Sequence, residues 1–276
     1  MRSERGIWPA ILISGALMGL SISGCTQAPR DAPPPQSPDA PAEAAPEPTP
    51  PPPPPAAEEA QPLLEEGVVS FTTDDGLTLS GTVFGTGTTA VILAHMRPVD
   101  QTDWHPFAQI IADDGFTALT FDFRGYGTSE GNRNDVGHLH LDVEAALAFL
   151  RDAGFDAILC VGASMGGTAC AKAAHEPGVA GLIVISSPAA MVPPLELAAA
   201  DFQGLNYPKL FIAAESDQPY RDAVQTMYDA SPDPKEIQIY SGNAHGTFLF
   251  GTQHEEDFRE LLRGFLVEHA PRLDPS

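Results

Sequence analysis

The chain has little cysteine and few basic residues, and each shortage narrows the classes of protein to which it can belong. Its 276 residues include 3 cysteines, which do not indicate a disulfide framework. Its 14 lysines and arginines stand against 37 aspartates and glutamates, so the formal net charge is −23. Nucleic acids and anionic membrane surfaces repel a protein of that charge. We therefore expect no nucleic-acid partner.

Long apolar runs are also scarce, and the most prominent one lies near the N-terminus. Residues 7–22 match the core of a secretory signal peptide in length and are short for a membrane span. The run ends in Ile22-Ser-Gly-Cys25, which resembles a bacterial lipoprotein signal. The resemblance implies cleavage before Cys25, lipidation of that residue, and a lipid-anchored protein in the cell envelope, outside the cytoplasm. The alternative is an uncleaved transmembrane segment that a cysteine happens to follow.

Proline is concentrated in one segment. Residues 25–62 contain more than half of the 28 prolines, including the unbroken run from Pro50 to Pro55. A segment of this composition has too few apolar residues to form a core and is expected to be extended. We therefore predict a signal peptide at 1–24, a lipidated cysteine with a linker at 25–62, and one domain at 63–276.

Predicted strands and helices alternate through most of that domain. Two strands with period-two patterning are joined by Asp74-Asp-Gly76, which is typical of a β-hairpin. Alternation after the hairpin indicates a mainly parallel sheet with helices on both faces, whose functional residues gather at the carboxyl ends of the strands. The predicted strands are 68–73, 77–84, 89–94, 116–123, 158–161, 179–185, 210–214 and 236–240, and the predicted helices are 103–114, 139–150, 164–174, 195–202, 220–228 and 255–269.

The most informative stretch is Gly162-Ala-Ser164-Met-Gly166, which lies between a predicted strand and a predicted helix. In that context the pattern indicates a sharp turn that projects the serine hydroxyl above the sheet edge. A side chain at Gly162 or Gly166 would collide with the neighbouring strand or helix. The helix that follows would aim backbone N–H groups at the same point. Ser164 is thus a candidate nucleophile, and the alternative is a serine in an ordinary loop turn.

A serine nucleophile needs a base, and the base needs a carboxylate that orients it. Of the eight histidines, His245 is the best candidate because it lies in a polar loop between the last predicted strand and the last helix. Asp217 directly follows the penultimate strand, and Glu215 is the competing carboxylate two residues earlier. The order Ser164, Asp217, His245 is one that accompanies a serine on such a turn. The alternatives are an ordinary loop histidine and a surface aspartate.

With these residues in place, the domain resembles the α/β-hydrolase superfamily of serine hydrolases. The run Asp122-Phe-Arg-Gly-Tyr-Gly-Thr-Ser129 is similar to the family's Asp-x-Arg-Gly-x-Gly-x-Ser segment near the active site. The resemblance implies an α/β-hydrolase fold and acyl transfer through an acyl-enzyme, without a cofactor. It also implies an oxyanion hole formed by the N–H of Met165 and an N–H from the loop after the third strand.

That loop departs from the family pattern. It usually reads His-Gly-x-Pro, and here it is His95-Met96-Arg97-Pro98. Matching the proline points to the N–H of Arg97. Methionine in place of glycine would narrow the pocket or change the loop backbone, so the donor remains open between Met96 and Arg97.

The segment between Ser187 and Pro208 has room for one helix and a loop, whereas many relatives carry a lid domain there. We therefore expect a minimal lid and an open pocket, which favours small or accessible esters. The leading hypothesis is a carboxylesterase acting on a small acyl ester or amide. The alternatives are a peptidase or acyltransferase with the same three residues, or a non-catalytic binding protein of this fold.

Two other constellations carry weaker signals. His138-Leu-His140-Leu-Asp142 resembles the start of a metallo-hydrolase motif, but Val143 stands where that motif has a histidine, so we expect no metal. Arg124 could bind an anionic substrate or brace its own loop. The cysteines at 160 and 170 flank the candidate nucleophile on the predicted strand and helix, and we expect both to be buried.

Overall fold

The computed structural model describes residues 63–270. The predicted signal peptide, Cys25 and the linker lie outside the described residues. Among residues 63–270, no helix is both long enough and apolar enough to cross a lipid bilayer.

Eight strands form one sheet in the order β1-β2-β4-β3-β5-β6-β7-β8. The first two pair with each other as an antiparallel hairpin and β2 pairs antiparallel with β4, while all later pairs are parallel. The strands are β1 (Gly67–Thr72), β2 (Thr78–Phe84), β3 (Thr89–Ala94), β4 (Phe116–Phe121), β5 (Ile158–Ala163), β6 (Val179–Ile185), β7 (Lys209–Ala214) and β8 (Lys235–Tyr240). The predicted hairpin and the predominantly parallel sheet are therefore confirmed.

Helices cover both faces of this sheet. They are α1 (His105–Asp113), α2 (Leu139–Asp152), α3 (Met165–Lys172), α4 (Tyr220–Ala230) and α5 (Glu255–His269). Side chains alternate between the two faces along each strand, so β3 sends Ala90 and Ile92 into one core and Val91 and Leu93 into the other. The first core lies beneath α2, α3 and α4, and the second beneath α1 and α5. Burial on both faces explains the continuous apolar runs of the central strands.

The helix predicted at 195–202 is wrong in its first half. A 3-10 helix spans only Ala199–Phe202, and the preceding residues form an isolated antiparallel bridge between Ala190 and Glu196. Ala198 is extended, and its N–H donates to the Asp201 carboxylate at 2.7 Å, which caps the short helix. The segment between β6 and β7 thus carries no lid domain.

The two described cysteines are buried, as expected, and both are free thiols. Cys160 on β5 and Cys170 on α3 belong to the same core. A hydrogen bond with Cys160, together with burial, raises the pKa of the Cys170 thiol well above its usual value.

Candidate active site

Ser164 occupies a strained turn between β5 and α3. Its backbone angles are φ 51° and ψ −118°, and among residues 63–270 Ser186 is the only other non-glycine residue with positive φ. A side chain in such a conformation costs on the order of 1–3 kcal/mol and persists where the surrounding structure enforces it. The turn leaves Ser164 partly exposed, whereas Ala163 and Met165 on either side are buried. The hydroxyl is therefore presented at the carboxyl edge of the sheet.

Three glycines permit this turn. A Cβ on Gly162 would lie 2.4 Å from the carbonyl carbon of Gly166, and a Cβ on Gly166 would lie 2.4 Å from the carbonyl oxygen of Ala94. Both collisions were predicted from the sequence. Gly167 was missed, although a Cβ there would lie 2.1 Å from the hydroxyl oxygen of Ser187.

His245 joins the serine to an acidic side chain. Its Nε2 lies 2.9 Å from the Ser164 Oγ, and its Nδ1 lies 2.9 Å from Asp217 Oδ2 and 3.2 Å from Oδ1. A carboxylate can only accept, so Nδ1–H donates to Asp217 and the neutral Nε2 accepts the serine proton. The Asp217 side chain is 7% exposed and that of His245 is 22% exposed. The structure thus brings together the three residues predicted from the sequence.

The competing carboxylate is placed differently. Glu215 is exposed, and its backbone N–H donates to the carbonyl of Tyr240, which continues the pairing of β7 with β8. Asp217 follows a tight turn, in which its N–H donates to the carbonyl of Ala214. That turn directs the side chain of Asp217, rather than that of Glu215, toward His245.

Tyr220, the first residue of α4, also contacts the histidine. The centroid of its ring lies 4.2 Å from that of the His245 imidazole, with an interplanar angle of 48°. The contact restricts rotation of the imidazole, because the ring is held on one side by Tyr220 and at Nδ1 by Asp217. This role of Tyr220 could not be predicted from the sequence, since a tyrosine at the start of a helix is common.

Methionine at position 96 does not narrow the open pocket. The Met96 side chain is fully buried in the core beneath α1 and α5. A Cβ on Gly246 would lie 2.5 Å from the Met96 sulfur, so the two residues are packed tightly against each other. Gly246 follows His245 and has φ 58°. The methionine therefore supports the loop that carries the histidine.

The candidate oxyanion-hole donors are available in the structure. Within residues 63–270, the backbone N–H groups of Met96, Arg97 and Met165 donate no hydrogen bond to a protein acceptor. The Arg97 side chain bonds instead to the hydroxyl of Tyr126 at 2.9 Å and to the carbonyl of Arg133 at 3.1 Å. The choice between Met96 and Arg97 thus remains open.

Replacement of Gly246 by alanine is expected to lower the free energy of unfolding by about 1–3 kcal/mol, because the methyl group meets the buried Met96 sulfur. Met96→Ala alone should leave a cavity and cost about 2–5 kcal/mol. In the double variant the methyl group occupies part of that cavity, so the combined loss should be smaller than the sum by at least about 0.5 kcal/mol. Urea unfolding of the four proteins measures this coupling. Strictly additive losses would contradict the contact.

His95 joins β3 to the segment that follows β4. It is fully buried; its Nε2 accepts the N–H of Phe123 at 3.1 Å and its Nδ1–H donates to the carbonyl of Met96 at 3.0 Å. Since a backbone N–H only donates, Nε2 must be unprotonated and the imidazole neutral. Burial lowers the pKa of His95 accordingly. The ring thus fixes the backbone at the candidate oxyanion loop.

A neutral buried histidine makes stability depend on pH. The pKa of His95 is lowered on folding, so below an unfolded value of about 6.5 the unfolded chain binds a proton that the folded chain does not. Stability is therefore complete above that pH and is lost as the pH falls. The free energy of unfolding of the wild type should fall as the pH is lowered from 7.5 to 5.5, and that of His95→Gln should fall less. Denaturant unfolding of the wild type and His95→Gln between pH 7.5 and 5.5 tests this. Equal slopes in the two proteins would show that His95 is not responsible.

Arg124 is buried and lies at the centre of an ion-pair network with one buried and two partly exposed carboxylates. Its guanidinium donates to Asp142 Oδ1 from Nε at 2.9 Å and from Nη2 at 2.7 Å. It also binds Asp75 and Asp135, each at 2.9 Å from Nη1. Burial alone would lower the pKa of Arg124, but its hydrogen bonds and ion pair with Asp142 raise it above the usual value. Arg124 therefore braces its own loop, which is the second of the two roles considered from the sequence.

In the segment that resembles a metallo-hydrolase motif, Asp142 and His138 already have other partners. Asp142 binds Arg124, and His138 Nδ1 lies 2.7 Å from the Asp135 carboxylate. His140 is partly buried on α2, and burial lowers its pKa. In the part of the chain that the structure describes, no group of three or more histidine, cysteine, aspartate or glutamate residues is placed to hold a metal ion.

Comparison with known families agrees with this fold. The family described as the alpha/beta hydrolase fold matches residues 89–241, which is more than half of the 276-residue chain. The chain therefore belongs to the alpha/beta hydrolase family.

Individual relatives are distant. The protein YfhR of Escherichia coli O157:H7 is 24% identical over 229 residues, which cover 72% of this chain and 80% of YfhR. Among solved structures, the esterase Pf2001 of Pyrococcus furiosus superposes with a TM-score of 0.65 at 20% identity, covering 75% of this chain and 94% of that one. An esterase of Thermogutta terrifontis has a TM-score of 0.61 at 18% identity, with coverage of 74% and 100%. At these identities the likeness establishes the fold.

Proposed function

We propose that this protein is a serine hydrolase, specifically a carboxylesterase, that acts through an acyl-enzyme formed on Ser164. The observation that carries the proposal is the continuous hydrogen-bonded line from Ser164 Oγ through His245 to Asp217, with 2.9 Å at each link. A nucleophile, a base and an orienting carboxylate in that geometry are the requirements for acyl transfer. The esterases among the structural neighbours support the choice of ester substrates.

The mechanism follows from the proton positions. His245 Nε2 accepts the Ser164 proton as Oγ attacks the substrate carbonyl, and Asp217 stabilises the imidazolium that results. The imidazolium then donates that proton to the leaving alcohol. Water, deprotonated by the same Nε2, then attacks the acyl carbon. The bond from that carbon to Ser164 Oγ breaks, Nε2 returns the proton to Oγ, and the acid is released. The N–H of Met165 and one loop N–H, from Met96 or Arg97, stabilise the oxyanion, and such donors are typically worth about 3 kcal/mol each in the transition state.

The substrate is proposed to be a small or readily accessible ester. The segment between β6 and β7 holds only the bridge at Ala190 and Glu196 and the short 3-10 helix Ala199–Phe202. Ser164 and His245 both remain partly exposed. A site of this kind admits small substrates directly and lacks a lid domain that would enclose a long acyl chain.

Labelling with a fluorophosphonate tests for an activated serine. The wild-type protein should be labelled and should hydrolyse short p-nitrophenyl esters, whereas Ser164→Ala should do neither. Ser216→Ala is the matched control, since Ser216 is exposed and directly precedes Asp217. Labelling without ester hydrolysis would favour a peptidase or an acyltransferase. Absence of labelling in a folded wild-type protein would overturn the hypothesis of a serine hydrolase and favour a non-catalytic binding protein.

We further propose that the enzyme is tethered to a membrane of the cell envelope, outside the cytoplasm, through a lipid on Cys25. The support is the sequence Ile22-Ser-Gly-Cys25 after an apolar run of signal-peptide length. Cys25→Ser is expected to release the protein from the membrane fraction and to block incorporation of radiolabelled palmitate. If the variant kept the same electrophoretic mobility and stayed in the membrane fraction, an uncleaved transmembrane segment would be indicated instead.

A further inference from the structure

Two exposed arginines near the candidate oxyanion loop have no carboxylate partner. Residues 63–270 contain ten lysines and arginines, and six of them pair with an aspartate or a glutamate. Lys209 and Lys235 direct their ammonium groups at backbone carbonyls instead. The remaining two are Arg97 and Arg133, which are exposed and form no ion pair with a carboxylate of the described residues.

Both guanidiniums are held against the buried side chain of Tyr126. Arg97 Nε donates to the Tyr126 hydroxyl at 2.9 Å, and Arg97 Nη2 donates to the carbonyl of Arg133 at 3.1 Å. The guanidinium carbon of Arg133 lies 5.1 Å from the centroid of the Tyr126 ring. That ring packs in turn against the His95 imidazole, with the two centroids 4.8 Å apart. The two guanidiniums are therefore neighbours on one buried support.

Most of the hydrogen-bonding capacity of the two guanidiniums is unused. A guanidinium carries five N–H donors. Two donors of Arg97 are engaged, and the Arg133 guanidinium donates to no protein acceptor among residues 63–270. The carboxylates that lie near them in sequence have other partners, because Asp100 caps the 3-10 helix that follows it and Asp135 pairs with Arg124. An anion from outside the chain would thus meet two positive groups with free donors.

The loop that carries Arg97 lies against the candidate nucleophile. A Cβ on Gly166, two residues after Ser164, would lie 2.4 Å from the carbonyl oxygen of Ala94 and 2.7 Å from that of His95. Arg97 follows two residues later, and its own N–H is one of the two candidate oxyanion donors. The distance from a substrate carbonyl held there to the guanidinium is therefore limited by about the length of one arginine side chain. A charged group a few bonds from the scissile ester can reach it.

We propose that Arg97 and Arg133 bind a carboxylate of the substrate, so that the enzyme prefers esters with a negative charge a few bonds from the scissile carbonyl. This inference rests on the proposed hydrolase function and names the substrate class of the same site. A guanidinium suits the role because its planar fork of donors matches a carboxylate. The chain as a whole repels anions, since its formal net charge is −23, so the preference depends on this local pair. Added salt should weaken the preference, because both guanidiniums are exposed.

Paired substrates that differ in charge test the preference in the full-length protein. Monomethyl glutarate carries a carboxylate on its acyl side, and 4-acetoxybutanoate carries one on its alcohol side; the neutral partner of each has an amide in place of the carboxylate. Acid release at constant pH gives kcat/KM for all four esters. At least one pair should favour the anion about fivefold or more, the scale of exposed ion pairs that act together. The pair that does so identifies the side on which the charge lies.

Substitution of each arginine identifies the source of the preference. Arg97→Gln and Arg133→Gln should each reduce the anion-to-amide ratio of kcat/KM by at least about twofold. Arg151→Gln is the matched control, because it also removes one positive charge but Arg151 pairs with Glu176 near the C-terminal end of α2. Its ratio should match that of the wild type. A ratio between two esters cancels any effect of a substitution on folding or on the reacting groups.

A binding measurement separates this inference from the proposed hydrolase function. Glutarate, measured by calorimetry, should bind the wild type at least about fivefold more tightly than it binds Arg97→Gln with Arg133→Gln. Ester hydrolysis without a preference for the anion in either pair, or a preference that both arginine variants retain, would overturn the inference and leave the hydrolase. If no ester is hydrolysed, the hydrolase function fails and the titration decides: binding that requires the arginines supports the anion site, and no binding of glutarate overturns it.

Discussion

Asp217→Asn is expected to lower kcat for ester hydrolysis by about 10⁴, the size of effect seen when the aspartate of a serine-protease triad is replaced in this way. The Asp217 carboxylate accepts Nδ1–H from His245 at 2.9 Å and so leaves Nε2 free to take the Ser164 proton. An asparagine can present its NH₂ group to Nδ1 and select the opposite tautomer, in which Nε2 carries the hydrogen. That imidazole cannot act as the base.

Glu215→Gln is the matched control for this experiment. Glu215 is exposed and lies two residues from Asp217, but it does not contact His245. The substitution Glu215→Gln removes one negative charge, as Asp217→Asn does. We expect its kcat to change little, because the Glu215 side chain is exposed and His245 bonds to Asp217 instead. If Glu215→Gln lost as much activity as Asp217→Asn, the assignment of the orienting carboxylate would be wrong.

Arg124→Met is expected to lower the free energy of unfolding by about 3–5 kcal/mol, the range for breaking a buried ion pair from one side. Asp142 is fully buried and binds the guanidinium at 2.7 Å, so the substitution leaves its carboxylate without a counterion. Asp75 and Asp135 bind the same guanidinium and would repel each other once it is removed. Urea unfolding at pH 7 measures the loss.

Two further variants define the cause. Arg151 pairs with Glu176 at 3.8 Å near the surface, so Arg151→Met should cost no more than about 1 kcal/mol. Adding Asp142→Asn to Arg124→Met removes the stranded charge and should restore part of the stability. If the double variant were as unstable as the sum of the single variants, lost packing rather than an unpaired charge would explain the effect.

Much of the fold could be predicted because its elements carry strong local signals. Strands β3 and β6 are mostly buried and so appear as unbroken apolar runs, and α5 begins and ends at the residues predicted. The region at 195–202 was misjudged because its alanines favour a helix in isolation. In the folded chain, Leu195 and Phe202 are buried while the alanines between them remain exposed, so tertiary packing determines the backbone.

The candidate site could be predicted in part for a similar reason. Ser164, Asp217 and His245 each follow a recognisable strand, and the ends of parallel strands converge at one edge. The roles of Tyr220 and Met96 could not be predicted, since they depend on contacts between segments far apart in sequence.

The backbone at Ser164 also bears on why the residue is there. A serine held at φ 51° and ψ −118° makes the native state less stable than a glycine would in the same turn. Selection removes only those substitutions that take stability below the level that function needs, so a strained residue of this kind can persist. Replacing Ser164 by glycine should therefore relieve part of the backbone strain and at the same time remove the hydroxyl of the candidate nucleophile. Stability and the proposed activity would then change in opposite directions.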